Sequence, residues 1–221
     1  GKIFKTTDSG YNWSEKSSNT TNELHSVYFP SSNIGYIVGN NKTISKSTNG
    51  GDSWSVITLN LTNVPGTFEY DFLDVFFIDD NTGFICYNGD DILKSTDGGS
   101  SWERIIIDPN IGSFVKGRKI LFVDDSIGFS LFGQSLYKTS DGGSNWSRVI
   151  NCNCCYDIFF PSASIGYLTA LNNLKFEVYK TYDGGNSWNV LSDIPIDLNS
   201  TDCGISSIPS LGRSQIVFTD N

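Results

Sequence analysis

The chain has 221 residues, 38% of them hydrophobic and 14% aromatic, with a formal net charge of -9 and a pI near 4.4. That is enough length and apolar surface for one all-β domain with a substantial core. The acidic balance repels phosphate backbones and sets nucleic acid aside as a partner, and no apolar run approaches the roughly 18 residues of a membrane-spanning helix.

The chain begins at Gly1, contains no methionine and carries no leader of the secretory type, so it reads as a mature or excised piece. Its first notable stretch is KTTDSGYNW (Lys5–Trp13), and four more copies follow: KSTNGGDSW (Lys46–Trp54), KSTDGGSSW (Lys94–Trp102), KTSDGGSNW (Lys138–Trp146) and KTYDGGNSW (Lys180–Trp188). All five tryptophans end a copy, at spacings of 41, 48, 44 and 42 residues. One turn motif per period of about forty means a repeat architecture built from a single supersecondary unit.

In register with that motif, each period holds four strand signals. The first whole unit has LHSVYFP (Leu24–Pro30), alternating apolar and polar, then IGYIVGN (Ile34–Asn40), KTISKSTN (Lys42–Asn49) and DSWSVIT (Asp52–Thr58). The pattern predicts four-stranded antiparallel blades over residues 24–58, 72–107, 117–150 and 155–192. The ends complement each other: Gly1–Ser14 supplies a third and fourth strand, and Ile205–Asn221 a first and second. A closing blade made of 203–221 plus 1–14 is therefore expected. The expected fold class is all-β, a single five-bladed β-propeller over residues 1–221, in which ring closure hides two sheet edges.

Within the motif, Ser95-Thr-Asp97-Gly-Gly99-Ser-Ser-Trp102 shows the expected physics. Asp97 follows a strand and can accept backbone N–H groups of its own loop. The glycines supply positive φ at the reversal. Trp102 can wedge a large ring between blades, with its N–H on a carbonyl. Asp8, Asp97, Asp141 and Asp183, with Trp13, Trp102, Trp146 and Trp188, take the same roles in four copies, while Asn49 stands in for the acid in the copy ending at Trp54. A backbone-bonding role tolerates that exchange and a catalytic one does not, so the motif reads as structural and sits at the outer rim.

The pattern Ser/Thr-X-Asp-X-Gly-X-X-Trp resembles the Asp-box, or bacterial neuraminidase repeat. The fuller unit, a strand, then N-X-GY/F-X-X-G, then LKSTDGGSSW, is most similar to the photosystem II stability/assembly-factor propellers. More distant likeness extends to sortilin-type receptors, xyloglucanases and sialidases. The resemblance implies a propeller. It leaves activity open, because the box is structural in all of these.

Any binding site is expected on the opposite face, where first strands begin. The candidates there are Glu69, Tyr70, Asp71, Asp74, Arg118, Tyr156, Asp157 and Asp202, with His25, Lys116 and Lys119 nearby. Two acids and a tyrosine in a mouth could serve a glycosidase. However, four arginines, of which Arg104 and Arg148 fall on outer strands, give no central triad for a sialic acid, and one histidine gives no Ser/His/Asp set. Cys152, Cys154 and Cys155 precede the fourth unit's first strand and Cys203 occupies the same place in the fifth, so a disulfide from Cys203 to Cys154 or Cys155 is expected, with Cys86 a buried free thiol. The C-X-C-C spacing without histidine is not a zinc signature. The expectation is a non-catalytic, extracytoplasmic propeller that binds a protein partner, with an extracellular glycan as the alternative ligand and with no cofactor or metal.

Overall fold

A computed structural model of the chain describes residues 1–59, 61–62, 70–89, 91–110, 116–173 and 175–195. The closing-blade stretch 203–221, with Asp202 and Cys203, lies outside them, as does Glu69. The described chain is all-β, and it forms two compact units, Gly1–Phe122 and Val123 onward.

In the first unit, β1 (Lys2–Lys5) and β2 (Ser14–Ser17) form an antiparallel hairpin around the first motif. β3 (Leu24–Tyr28), β4 (Gly35–Gly39), β5 (Thr43–Ser47) and β6 (Ser55–Val56) make a four-stranded meander. β7 (Leu61–Thr62) leaves that meander and adds in parallel to the outer strand of the next sheet. That sheet runs β8 (Phe72–Phe77), β9 (Gly83–Tyr87), β10 (Ile92–Ser95) and β11 (Trp102–Ile105). β12 (Gly117–Phe122) ends the unit and lies beside β8. In the second unit, β13 (Gly128–Phe132), β14 (Ser135–Thr139) and β15 (Ser147–Asn151) pair antiparallel. β16 (Cys154–Phe159), β17 (Gly166–Asn172), β18 (Lys175–Thr181) and β19 (Asn189–Pro195) form another four-stranded meander. The described strands thus form five sheets, of which the β1–β2 hairpin is the two-stranded one. The outer strand of the first meander is shorter than its apolar pattern suggests, at two residues against the seven of β19.

Strand position in the sheet decides burial. The second strands β4, β9 and β13 are buried at every residue, so GYIVG, GFICY and GFSLF read as continuous apolar runs rather than alternating ones. The third strands β5, β10 and β14 bury all but a single lysine each. First strands carry a bulge at the same place, between Leu24 and Ser26, Phe72 and Asp74, and Cys155 and Asp157. The extra residue re-aims the side chain that follows it.

The core of the first unit shows how neighbouring sheets interlock. The ring of Tyr36 on β4 stacks on Phe77 of β8 with centroids 3.6 Å apart, and Phe77 meets Trp102 edge-on at 5.9 Å. All three are essentially inaccessible to solvent. In the second unit, Phe129, Phe160 and Trp188 repeat the arrangement, with Phe129 on Phe160 at 4.5 Å and Phe160 on Trp188 at 5.8 Å.

Candidate functional site

The five motif loops share one hydrogen-bond design. In the second unit, the Thr181 hydroxyl donates to Asp183 Oδ1 (2.7 Å) and accepts the Gly185 N–H (2.9 Å). Asp183 Oδ1 accepts the Ser187 N–H (2.9 Å) and its Oδ2 accepts the Ser187 hydroxyl (2.6 Å). Asp8, Asp97 and Asp141 repeat this with Asn12, Ser101 and Asn145. Asn49 keeps it through Oδ1, which accepts the Ser53 N–H (2.9 Å), while Nδ2 donates to the Ser53 hydroxyl (2.9 Å). The two glycines hold φ between 65° and 86° in the four Gly-Gly copies, and the first copy reaches it with Ser9 (58°) and Gly10 (91°). Donors converging on the carboxylates lower their pKa values. Hydrogen bonds from Ser101 bring Asp97 to about 2, and those from Asn145 bring Asp141 to about 2. The same contacts lower Asp8 and Asp183. These groups are saturated by their own loops.

The tryptophans do not all behave alike. Trp13, Trp102 and Trp146 donate Nε1–H to the carbonyls of Gly10, Gly99 and Gly143, at 3.0, 3.1 and 3.3 Å. Trp54 and Trp188 bury Nε1 with no hydrogen-bond partner. Trp102 is 1% exposed and Trp13 60%.

The candidates expected at one mouth separate into distinct local structures. Tyr70 and Asp71 grip the β4–β5 turn, where Asn41 and Lys42 sit at φ 54° and 57°, the paired left-handed geometry of a tight hairpin. Lys42 N–H donates to the Tyr70 carbonyl (2.7 Å), and Asn41 N–H to Asp71 Oδ1 (3.2 Å). The Lys42 ammonium lies 5.4 Å from the Tyr70 ring centre, and Tyr70 meets Tyr87 edge-on at 5.0 Å. Asp74 does not line this cluster. Its carboxylate is enclosed between first strands, accepting the Ser26 hydroxyl (2.7 Å) from β3 and the Ile120 N–H (3.0 Å) from β12. Burial raises its pKa, against the opposing pull of those bonds and of Lys119. Arg118 and Lys119 are half-buried on β12.

In the second unit, Tyr156 is the bulged residue of β16, 36% exposed, with its ring stacked on Phe176 at 6.0 Å. Asp157 Oδ1 accepts the adjacent Ile158 N–H (3.0 Å). His25 is hydrogen-bonded to Asn40. Among the described residues, no group of three or more His, Cys, Asp or Glu could hold a metal ion.

The cysteines narrow one expectation to its Cys154 alternative. Cys155 pairs with Cys152, three residues away, so it is not available to Cys203. The bridge joins the residue two before β16 to the second residue of that strand. Cys154 is also disulfide-bonded, and Cys86 is a buried free thiol.

A feature the strand patterns did not reveal is an apolar groove of about 590 Å³ in the first unit, between the β1–β2 hairpin and β3. Phe4, Trp13, Val27, Phe29 and Trp54 line it. A signal was available: Phe29 occupies the repeat position of Phe77, yet it is 39% exposed where Phe77 is fully buried.

The sheets define an all-β fold of the β-propeller type, and its motif loops resemble the Asp-box. Within that class, the sequence model of photosynthesis system II assembly factor YCF48 matches residues 62–153, under half of the chain. Among solved structures, YCF48 bound to a D1 peptide is 19% identical, with a TM-score of 0.51, covering 78% of this chain and 83% of its own. YCF48 from Cyanidioschyzon merolae is 19% identical at TM-score 0.60, covering 77% and 56%. The GH74 enzyme from Niastella koreensis is 20% identical at TM-score 0.63, covering 86% of this chain but only 34% of the enzyme. No curated protein sequence matches the chain.

Proposed function

We propose that this chain is a non-catalytic propeller that binds an extended segment of a protein partner. The observation that carries the reading is the commitment of its candidate acids. The box carboxylates are saturated by their own loops, Asp74 ties three first strands together, and Asp71 and Asp157 accept backbone N–H groups. A glycosidase needs two free carboxyl groups facing one bond, and the described candidates offer no such pair. The likeness to a propeller solved with a bound peptide supports a protein ligand. The Lys42–Tyr70 pair, with Tyr70 held edge-on against the buried Tyr87, supplies a cation and an aromatic ring of the kind that contact peptides. We further assign the chain to an extracytoplasmic compartment, since the Cys152–Cys155 bridge persists in oxidising surroundings.

Parallel peptide and glycan arrays test the reading. Binding to a peptide class that falls about tenfold in Tyr70→Ala, a loss of ~1.4 kcal/mol, is the expected outcome. Binding to one glycan class, with cleavage of the bound oligosaccharide, would overturn it in favour of a carbohydrate-active propeller.

A further inference from the structure

The chain contains two Asn-Gly dipeptides, Asn49–Gly50 and Asn88–Gly89. Asparagine is a heat-labile residue. A following glycine leaves its own amide nitrogen unshielded by a side chain, so the asparagine before it cyclises and loses ammonia most readily. The two sites lie in different surroundings. Asn49 is exposed, at the acid position of the second motif, whereas Asn88 is half-buried and Gly89 is buried.

The product also fits the two sites differently. With an aspartate at position 49 the loop would take the design of the other four copies. The Ser47 hydroxyl (3.0 Å) and the Ser53 N–H (2.9 Å) already donate to Oδ1, and both bonds suit a carboxylate. Only the Ser53 hydroxyl must turn, since it now accepts from Nδ2 (2.9 Å). Turned about, it donates to the new oxygen, as the Ser101 and Ser187 hydroxyls donate to Asp97 and Asp183, both at 2.6 Å. Asp52 in the same loop holds Lys5 and Lys16 at 3.0 and 3.1 Å, so two cations stand beside the added charge. At Asn88, Nδ2 donates to Asp71 Oδ2 (3.4 Å) and Oδ1 accepts the Asp71 N–H (2.9 Å). An aspartate there would lose the first bond and set a second carboxylate against Asp71.

We propose that Asn49 is a site of spontaneous deamidation in the folded chain, and that the resulting aspartate completes the second box. The Gly50 N–H donates to the Asn33 carbonyl (2.9 Å), so local opening of the loop comes first. The Gly50 nitrogen then gives its proton to solvent and attacks Asn49 Cγ. The Cγ–Nδ2 bond breaks, and Nδ2 takes a proton from water and leaves as ammonia, giving a cyclic imide. Water adds at Cγ, the bond from Cγ to the Gly50 nitrogen breaks, and that nitrogen regains its proton. A carboxylate remains on Cγ, and its proton passes to the ammonia. The inference concerns the chemistry of one motif and is independent of the proposed protein-binding role.

The test holds the full-length chain folded in mildly alkaline buffer, beside the same chain unfolded in urea, and follows residues 49 and 88 by peptide mapping and mass spectrometry. Each rate in the folded chain is divided by the rate of the same residue in urea. The ratio for residue 49 should exceed that for residue 88 by about tenfold, a difference in local opening. Full-length Asn49→Asp should melt above the parent. A ratio for residue 88 equal to or above that for residue 49 would overturn the proposal. So would an unmodified residue 49 in the folded chain after the time that converts it fully in urea. An Asn49→Asp chain that melts at or below the parent would overturn the claim that the product completes the box.

Discussion

Phe77 is the sharpest test of the packing argument. Its ring is fully buried, stacked on Tyr36 and edge-on to Trp102, and it covers Gly83 so closely that a Cβ there would lie 2.4 Å from the ring. Phe77→Ala removes a side chain whose transfer from water is worth up to ~3 kcal/mol. It also leaves a cavity walled by a sheet on each side, which cannot collapse without separating them, so the expected total is about 3–5 kcal/mol. For a chain of this size that lowers the melting temperature by about 6–20 °C. Urea denaturation followed by near-ultraviolet circular dichroism reads the loss, because the aromatic cluster itself supplies the signal. Val56→Ala, at a 51% exposed position, is the control and should stay within ~0.5 kcal/mol of the parent. A Phe77→Ala cost below ~1.5 kcal/mol would show that the sheets are not interlocked through this triad.

Lys46 donates to the Gly98 carbonyl at 3.0 Å with its ammonium 5.2 Å from the Tyr36 ring centre, so Lys46→Met should cost ~1–2 kcal/mol by the same urea assay, and a neutral outcome refutes the contact. The box carboxylates have folded pKa values below the unfolded 3.8. Their stabilisation is therefore fully present above pH 4 and lost as pH falls through about 2, and acid titration of the fold should show its loss in that window. Asp74 has the opposite sign: raised by burial, it contributes stability below its unfolded pKa that is lost as pH rises through the folded one, so Asp74→Asn should gain on the parent as pH rises above the ordinary carboxylate value of 3.8. A difference independent of pH would remove that account. Alkylation in denaturant without reductant should label Cys86 alone, and peptide mapping should join Cys154 to Cys203; labelling at Cys152 or Cys155 contradicts the observed pairing.

Much of the fold was legible because the motif fixes register. Once five copies are aligned, a period-two pattern places the first strands and a continuous apolar run places the second ones, and the structure differs mainly in strand ends. The candidate site was less legible. Asp71 and Asp74 are three residues apart and both acidic, yet one caps a turn and the other is enclosed. The reason is the bulge between Phe72 and Asp74, which turns the later side chain toward its neighbours. A bulge leaves no mark in a hydrophobic pattern. The Cys152–Cys155 pairing was hidden because Cys152 lies before β16, where a strand pattern says nothing of the chain's path. The groove beside β1 could be seen only as an exposure difference between equivalent aromatic residues.

The lysine that opens every motif completes the logic of the repeat. On β5, β10 and β14 it is the one residue not buried, and in three copies it reaches forward to the next loop. Lys5 meets Asp52 at 3.0 Å, Lys46 meets the Gly98 carbonyl, and Lys138 meets the Gly184 carbonyl and Asn186, both at 2.7 Å. A box is therefore two things at once, a turn closed on its own carboxylate and an acceptor for the preceding sheet. The acceptor in the Gly98 and Gly184 loops is a glycine carbonyl at a positive φ, which glycine sustains at low cost. The acid is needed inside the loop, where an amide can replace it. The glycines and the lysine are needed between sheets, where the geometry allows less substitution. That division explains why the second copy departs from the pattern at Asn49 and keeps Lys46, Gly50, Gly51 and Trp54.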